Sequence, residues 1–344
     1  MTRSLILCAT LAAFGASWAA AADPDLLGGL KARSIGPAAM SGRVTAIEAD
    51  PANPDLVYVG AASSGIWKST NGGLTWTAIF AEQPVHSIGA MALNPNNPED
   101  LWVGTGEANV RNSVSVGGGV WRTRDGGETW QFLGLAQSER IHRVVLHPTQ
   151  PDTAWVAASG PLWSAGGERG IYKTVDGGKQ WTRVLETGPR TGGSDLVIDP
   201  NNPERLYATT WEHQRSAHRF ESGGPGSGLW RSVDGGDTWT RLDGAPGMPK
   251  GPLGRIALAM APAEPGWLYA LVEAKDSVLL KSSDGGNRFE VVNKAVNVHP
   301  RPFYFSDLRV DPTRPDRLYR LGVTADVSDD GGKSFATWIG WDDL

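Results

Sequence analysis

The sequence predicts an all-β protein, a β-propeller of about six four-stranded blades. Three observations carry this reading. First, an eight-residue box recurs six times: STNGGLTW at 69–76, TRDGGETW at 123–130, TVDGGKQW at 174–181, SVDGGDTW at 232–239, SSDGGNRF at 282–289 and SDDGGKSF at 328–335. Its third residues (Asn71, Asp125, Asp176, Asp234, Asp284 and Asp330) are separated by 54, 51, 58, 50 and 46 residues, a period that suits one blade per repeat. Second, a proline-rich signature keeps step with the box: DPANPDLVYVG (50–60), NPNNPEDLWVG (94–104), HPTQPDTAWVA (147–157), DPNNPERLYAT (199–209), APAEPGWLYAL (261–271) and DPTRPDRLYRL (311–321). Third, 44 glycines, 23 prolines and 15 tryptophans suit many tight turns and large buried rings.

Each unit reads as four strands in order. Strand A is short and apolar, as in 43–49, 88–93 or 256–260. The Pro-x-x-Pro run that follows is a turn, because proline fixes φ and lacks the amide a ladder needs. Strand B comes next (56–60, 154–158, 206–209). Strand C alternates apolar and polar residues, as in GIWKS (65–69), GVWRT (119–123), GIYKT (170–174) and GLWRS (228–232). The box then turns the chain into strand D. Its two glycines supply positive φ, and Asp or Asn bonds to nearby turn amides. Trp76, Trp130, Trp181 and Trp239 close four boxes and are expected to wedge between sheets. The blades are placed at about 43–82, 85–134, 140–186, 192–243, 253–294 and 303–340. One carboxylate per box beside two glycines is too few ligands for a calcium cage, so the boxes are read as structural and no metal is expected.

Residues 1–22 read as a secretory signal peptide: a basic start, the apolar run 5–16, and Ala20 and Ala22 before Asp23. Residues 23–42 form a lead, in which 31–35 is a candidate closing strand for the last blade. Cys8, the only cysteine, lies inside the apolar run, so the exported chain is expected to carry neither disulfide nor lipid. No later segment is long enough for a transmembrane helix. A net charge of -5 offers no general attraction to nucleic acid. Export to the periplasm or medium follows from this reading.

The box S/T-x-D-G-G-x-T-W is the Asp-box, or bacterial neuraminidase repeat. With RSIGPAAMSGRV (33–44), GTGEANVRNSVSVGGGVWRTRDGG (104–127), TTWEHQRSAHRFESGGPGSGLWRSVDGG (209–236) and RPFYFSDLRVDP (301–312), the chain from Arg33 onward resembles secreted bacterial proteins with sortilin-type N-terminal domains and Asp-box glycosyl hydrolases. It is similar to the opening region of a longer chain in that group. Sialidases, xyloglucan hydrolases, sortilins and photosystem assembly factors all carry the box, so the box alone does not select a function.

In an A-B-C-D meander, the B–C loops share one end of the propeller with the D–A connections. Blade 1 has only 62–64 there, whereas blades 2, 3 and 4 insert 105–118, 160–169 and 211–227. Variable loops on a rigid scaffold are the usual place for binding. The candidate binding residues are therefore Glu107, Asn109, Arg111, Arg169, Trp211, Glu212, His213, Arg215, His218, Arg219 and Arg301, with Trp163 and Phe220 as exposed rings. Arginines beside aromatics suit planar polar ligands and sugar faces.

The leading functional reading is an exported module that binds a peptide, protein or glycan through this face, with no cofactor. Two others stand beside it. One is a glycoside hydrolase using a carboxylate pair, Asp195 with Asp307, with Glu107 as a further acid. The other is a structural or assembly module of a larger envelope protein. The resemblance to xyloglucan-cleaving proteins places a catalytic aspartate just after strand B of the first blade, where this chain has Ala62. Arg143 falls at the same strand position as Asp195 in the neighbouring blade, so an inter-blade ion pair is the preferred account of Asp195. Strand C of the sixth unit carries Asp326 where other blades have Trp67, Trp121, Tyr172 or Trp230, which predicts an incomplete, self-associating ring.

Overall fold

The computed structural model describes residues 43–111 and 114–339. The expected signal peptide, the lead and its candidate strand at 31–35 lie outside them. The described residues form six sheets, all of them antiparallel meanders. Blade 1 comprises β1 (Val44–Asp50), β2 (Asn53–Ala61), β3 (Gly65–Ser69) and β4 (Thr77–Ala78). Blade 2 has β5 (Ile88–Asn94), β6 (Asn97–Thr105), β7 (Val120–Thr123) and β8 (Gln131–Phe132). Blade 3 has β9 (Ile141–Leu146), β10 (Ala154–Ala158), β11 (Gly170–Thr174) and β12 (Thr182–Leu185). Blade 4 has β13 (Thr191–Ile198), β14 (Leu206–Ser216), β15 (Arg219–Ser222), β16 (Gly228–Ser232) and β17 (Thr240–Arg241). Blade 5 has β18 (Ile256–Met260), β19 (Leu268–Val272), β20 (Val278–Ser282) and β21 (Glu290–Asn293), and blade 6 has β22 (Asp307–Val310), β23 (Leu318–Leu321), β24 (Ala325–Ser328) and β25 (Ala336–Ile339).

The box works as a local lock. In blade 2, Thr123 Oγ1 donates to Asp125 Oδ1 at 2.6 Å and accepts from Gly127 N at 2.9 Å, while Asp125 Oδ1 also accepts from Thr129 N at 2.9 Å. The first box glycine then donates to the A–B turn of its own blade, as Gly126 N does to Glu99 O at 2.9 Å and Gly331 N to Asp316 O at 2.8 Å. Both glycines of every box hold φ between 66° and 99°, a region that strains other residues. These bonds draw the box carboxylates below their ordinary range. Asp125 falls to about 2, chiefly through the Thr123 and Thr129 hydroxyls.

Inner strands pack side by side in the order β1, β5, β9, β13, β18, β22, each against the next. Two cross-strand rows run through every sheet. The rear row faces the preceding blade: Met91, Val103 and Trp121 in blade 2, Val144, Val156 and Tyr172 in blade 3. In blades 1 to 5 the forward row faces the following blade and carries an aromatic on the second strand and a cation on the third, such as Trp155 and Lys173. The box aromatics fill the same joints: Trp130 Nε1 donates to Ile79 O and Trp181 Nε1 to Leu133 O, both at 2.7 Å, while Trp239 packs beside Trp155. Trp76 departs from the expectation. It is 36% exposed, because no blade packs behind blade 1 among the described residues.

Candidate functional site

The loop end of the propeller is built from the three insertions predicted to differ in length. One of them is not a loop. Strand β14 runs past its blade partner to Ser216 and pairs with β15, with His213 opposite Ser222 and Arg215 opposite Phe220. The resulting hairpin leans on its neighbour, since Arg215 N donates to Leu162 O of the blade 3 loop at 2.9 Å. Val110, Leu162 and Trp211 are fully buried there, with Val114, Phe220 and Phe303 packed around them. Loops from blades 2, 3 and 4 and the connection into blade 6 thus share one small apolar core.

Several residues expected on the surface of this face are inside it. Trp211 stacks on His213 with ring centroids 4.2 Å apart, and the guanidinium of Arg255 lies 5.4 Å from its ring. Burial lowers His213 to about 3, so its imidazole is neutral at any ordinary pH. Burial also lowers Arg255 to about 10, and Asn109 Oδ1 accepts from its Nη1 at 3.3 Å. Arg169 is buried and ties its own loop together, donating to the carbonyls of Ser159 (2.6 Å), Gly166 (2.9 Å), Ser164 (2.8 Å) and Pro161. Glu107 is fully buried in a bidentate pair with Arg43, at 2.7 and 2.6 Å. These side chains hold the loops and do not present themselves to a ligand. The reason is packing: the hairpin folds inward, and the polar groups beneath it find partners as burial requires.

What the face does present is a row of partly exposed rings. Phe220 meets Phe303 at 5.5 Å, Phe303 meets Tyr304 at 4.5 Å, and Tyr304 meets Phe305 at 6.2 Å. Arg215 lies 5.3 Å over Phe220. Exposed Arg219, His218 and Trp163, exposed Arg301 with φ of 50° and half-buried Arg111 complete the face. Phe303, Tyr304, Phe305 and Arg255 were missed in the sequence; the RPFYF run at 301–305 was the available signal, but it reads as a connection between blades.

Several carboxylates on this face are engaged. Glu139 pairs with Arg140 (2.8 Å), Glu168 accepts from Gln137 N (2.7 Å), Glu212 holds Arg190 (2.9 Å) and Gly226 N (3.0 Å), and Glu221 also meets Arg190 (3.2 Å). The Asp195–Asp307 pair is bridged. Arg143 Nε donates to Asp195 at 2.7 Å, and its Nη2 reaches Asp307 at 3.3 Å. Asp195 accepts also from the amides of Leu196 and Leu258, at 2.8 and 2.9 Å. Burial opposes ionisation of Asp307, but Arg309 and Arg143 outweigh it and keep that carboxyl below the usual range. The expected inter-blade ion pair is therefore present, widened to a third blade. Beside it, a cavity of 310 Å³ is lined by Val145, Ile198, Met260, Val310 and Arg309. Ala62 is fully buried where the resemblance implies an acid, and its amide donates to Arg43 O at 2.9 Å.

Fold and face define a six-bladed all-β propeller with one elaborated loop end. A family model described as Sortilin, neurotensin receptor 3 (Sortilin-Vps10) matches residues 118–243, less than half of the chain. Among curated proteins, a probable oligoxyloglucan-reducing end-specific xyloglucanase of Neosartorya fischeri is 28% identical over 173 residues, 48% of this chain and 20% of that protein. A xyloglucanase of Paenibacillus sp is 24% identical over 257 residues, 67% of this chain and 23% of its own length. The chain thus spans only about a quarter of these relatives. A solved GH74 enzyme of Niastella koreensis superposes with a TM-score of 0.64 at 21% identity, covering 86% of this chain and 46% of that one.

Proposed function

We propose that this chain forms a glycan-holding propeller of a glycoside hydrolase acting on xyloglucan-like polysaccharides. The observation that carries the reading is the row of rings from Phe220 to Phe305 with Arg215 above it. Flat, half-exposed aromatic faces stack on sugar rings, and a neighbouring guanidinium bonds to their hydroxyls. The xyloglucanase relatives favour this over a module that binds without chemistry.

Hydrolysis of a glycoside needs two carboxyls placed about the scissile bond. In this reading Asp195 and Asp307 are structural, because Arg143 occupies the space between them. The acid and its partner come from outside the described residues, and the propeller face positions the chain of sugars for them. Titration of the protein with xyloglucan oligosaccharides tests the reading. Phe303→Ala together with Tyr304→Ala should weaken binding about tenfold, equivalent to about 1.4 kcal/mol. Asp307→Asn should leave binding unchanged. No detectable binding of any xyloglucan oligosaccharide by the unaltered chain would remove the proposal.

A further inference from the structure

The innermost strands of blades 1 to 4 each carry a β-bulge near the loop end, and the extra residues are Thr45, Gly89, His142 and Ser194. A bulge re-aims one side chain out of the regular alternation and recurs beside functional sites. In blade 1 that side chain is spent, since Thr45 Oγ1 donates to Ile88 O at 2.8 Å. In blade 2 there is none, and a Cβ on Gly89 would run into the carbonyls of Gly106 and Ile141. Blades 3 and 4 differ. His142 Nδ1 donates to Ser194 O at 3.2 Å, which leaves Nε2 as a lone-pair acceptor with no partner among the described residues. Ser194 Oγ is likewise unpartnered among them. Buried polar atoms of this kind call for an explanation.

Blade 5 has no bulge and supplies a charge at the same end. Arg255 directly precedes β18. It flanks the same indole as His142, which lies 6.3 Å from the Trp211 ring where the guanidinium lies 5.4 Å from it. Among the described residues no carboxylate pairs with this guanidinium. Glu273 is taken by the Arg255 amide and the Ser222 hydroxyl, both at 2.7 Å. Asn109 Oδ1 accepts from the two Nη atoms at 3.3 and 3.4 Å, long for bonds from a cation. A buried charge without a counter-charge is costly. His142, Ser194 and Arg255, from three consecutive blades, are all buried, each with 5% of its surface open.

We propose that His142, Ser194 and Arg255 form a seat for a uronate, a sugar that carries a carboxylate, at the loop end of the inner strands. The carboxylate takes the place of Asn109 Oδ1 on the guanidinium. One sugar hydroxyl donates to His142 Nε2 and another accepts from Ser194 Oγ. Burial and the nearby Arg255 hold the imidazole neutral, well below its ordinary range. A carboxylate alone therefore does not fit, because its oxygens would face the lone pair of Nε2. The ligand must bring an anion and a hydroxyl together. With the loops closed Asn109 covers the cation, so the seat is entered by displacing that side chain. This inference rests on the glycan reading above and names an acidic substituent for it.

Titration calorimetry of the full chain tests it with three small ligands. Methyl glucuronide carries both groups, methyl glucoside lacks the charge, and acetate lacks the hydroxyls. The glucuronide should bind about tenfold or more tighter than either of the others, as a charge-assisted bond in a buried site implies. Arg255→Met should erase that preference. Asn109→Ala, which removes the competing oxygen, should tighten the glucuronide about threefold. A cooperative melt confirms the fold of each variant, and the gain at Asn109 keeps the test decisive if Arg255→Met does not fold. Equal binding of glucuronide and glucoside would overturn the proposal, as would acetate binding as tightly as the glucuronide. So would an unchanged preference in folded Arg255→Met, or a tripeptide with a free C-terminus binding more tightly than the sugar acid. Xyloglucan oligosaccharides are neutral and report on the ring row alone, so the two readings fail separately.

Discussion

Blade 3 and blade 1 carry nearly the same rear row. Val144 and Val156 in the first and Ile47 and Val59 in the second are branched aliphatics at equivalent register positions, each row ending in an aromatic, Tyr172 or Trp67. The blade 3 row is buried against blade 2, whereas the blade 1 row has no blade packed on it among the described residues and Ile47 is 62% exposed. The forward rows differ likewise, Trp155 being buried under the next blade and Tyr319 half-open. The residues of a blade therefore do not determine its burial; the neighbour does. Stability in such an array is a sum over nearest-neighbour joints, so it should fall off at blades 1 and 6.

The largest test compares the two forward aromatics. Trp155→Ala should cost about 3–5 kcal/mol in urea unfolding, as for a fully buried ring. Tyr319→Ala should cost about 1 kcal/mol or less, near the range of surface changes. Equal costs would show that blade 6 is as well covered as blade 3. Next in size is Arg143→Met, which leaves buried Asp195 without its ion-pair partner and should cost about 3–5 kcal/mol. Adding Asp195→Asn to that variant should recover much of the loss if the uncompensated charge is the cause.

A smaller effect should appear in acid. Asp125, Asp234 and Asp330 are held near about 2 by the hydroxyls and amides of their own boxes, below the unfolded value of about 3.9. Their contribution is complete above the unfolded value and is lost as pH falls through the folded one. Melting temperature should thus drop between pH about 4 and 2, and Asp234→Asn should flatten that drop. Blade 1 does not share in it, because its box has Asn71. A last effect concerns Glu48 on β1. Burial pushes this carboxyl up to about 7, against the pull of Arg309 and the Leu93 amide. The folded state then holds a proton that the unfolded state releases near about 4.3, so stability should decline from there to about pH 7. Glu48→Gln should abolish the decline and give the more stable protein at alkaline pH. A variant with unchanged slope would mean that water already reaches the group in the folded state.

Much of the fold was legible because the box and the proline turn punctuate each repeat, and punctuation depends on local backbone chemistry. The Arg143–Asp195 pair could be read for a related reason, since equal positions in adjacent blades are neighbours in space. The loop face was less legible. Whether Trp211 is buried depends on β14 continuing into a hairpin and on Leu162 lying beneath it, neither of which is a local property. Arg43 with Glu107, 64 residues apart, and Phe220 with Phe303 are joined only by the closing of loops over the propeller. Trp76 was misplaced by the logic that succeeded for Trp130 and Trp181: the repeat predicts a partner for every box, and blade 1 lacks one among the described residues.

The joints have one more property. Each blade reaches ahead and none reaches back with the same groups, so the array has a direction, as tongue-and-groove boards do. The grooves are not interchangeable, since Lys68 donates to a box carbonyl (Gly126 O), Lys173 to a box carboxylate (Asp237) and Lys281 to a turn carboxylate (Asp316). Adding or removing a unit would therefore cost most where a contact belongs to particular blades, as the Arg143 bridge to Asp195 and Asp307 does.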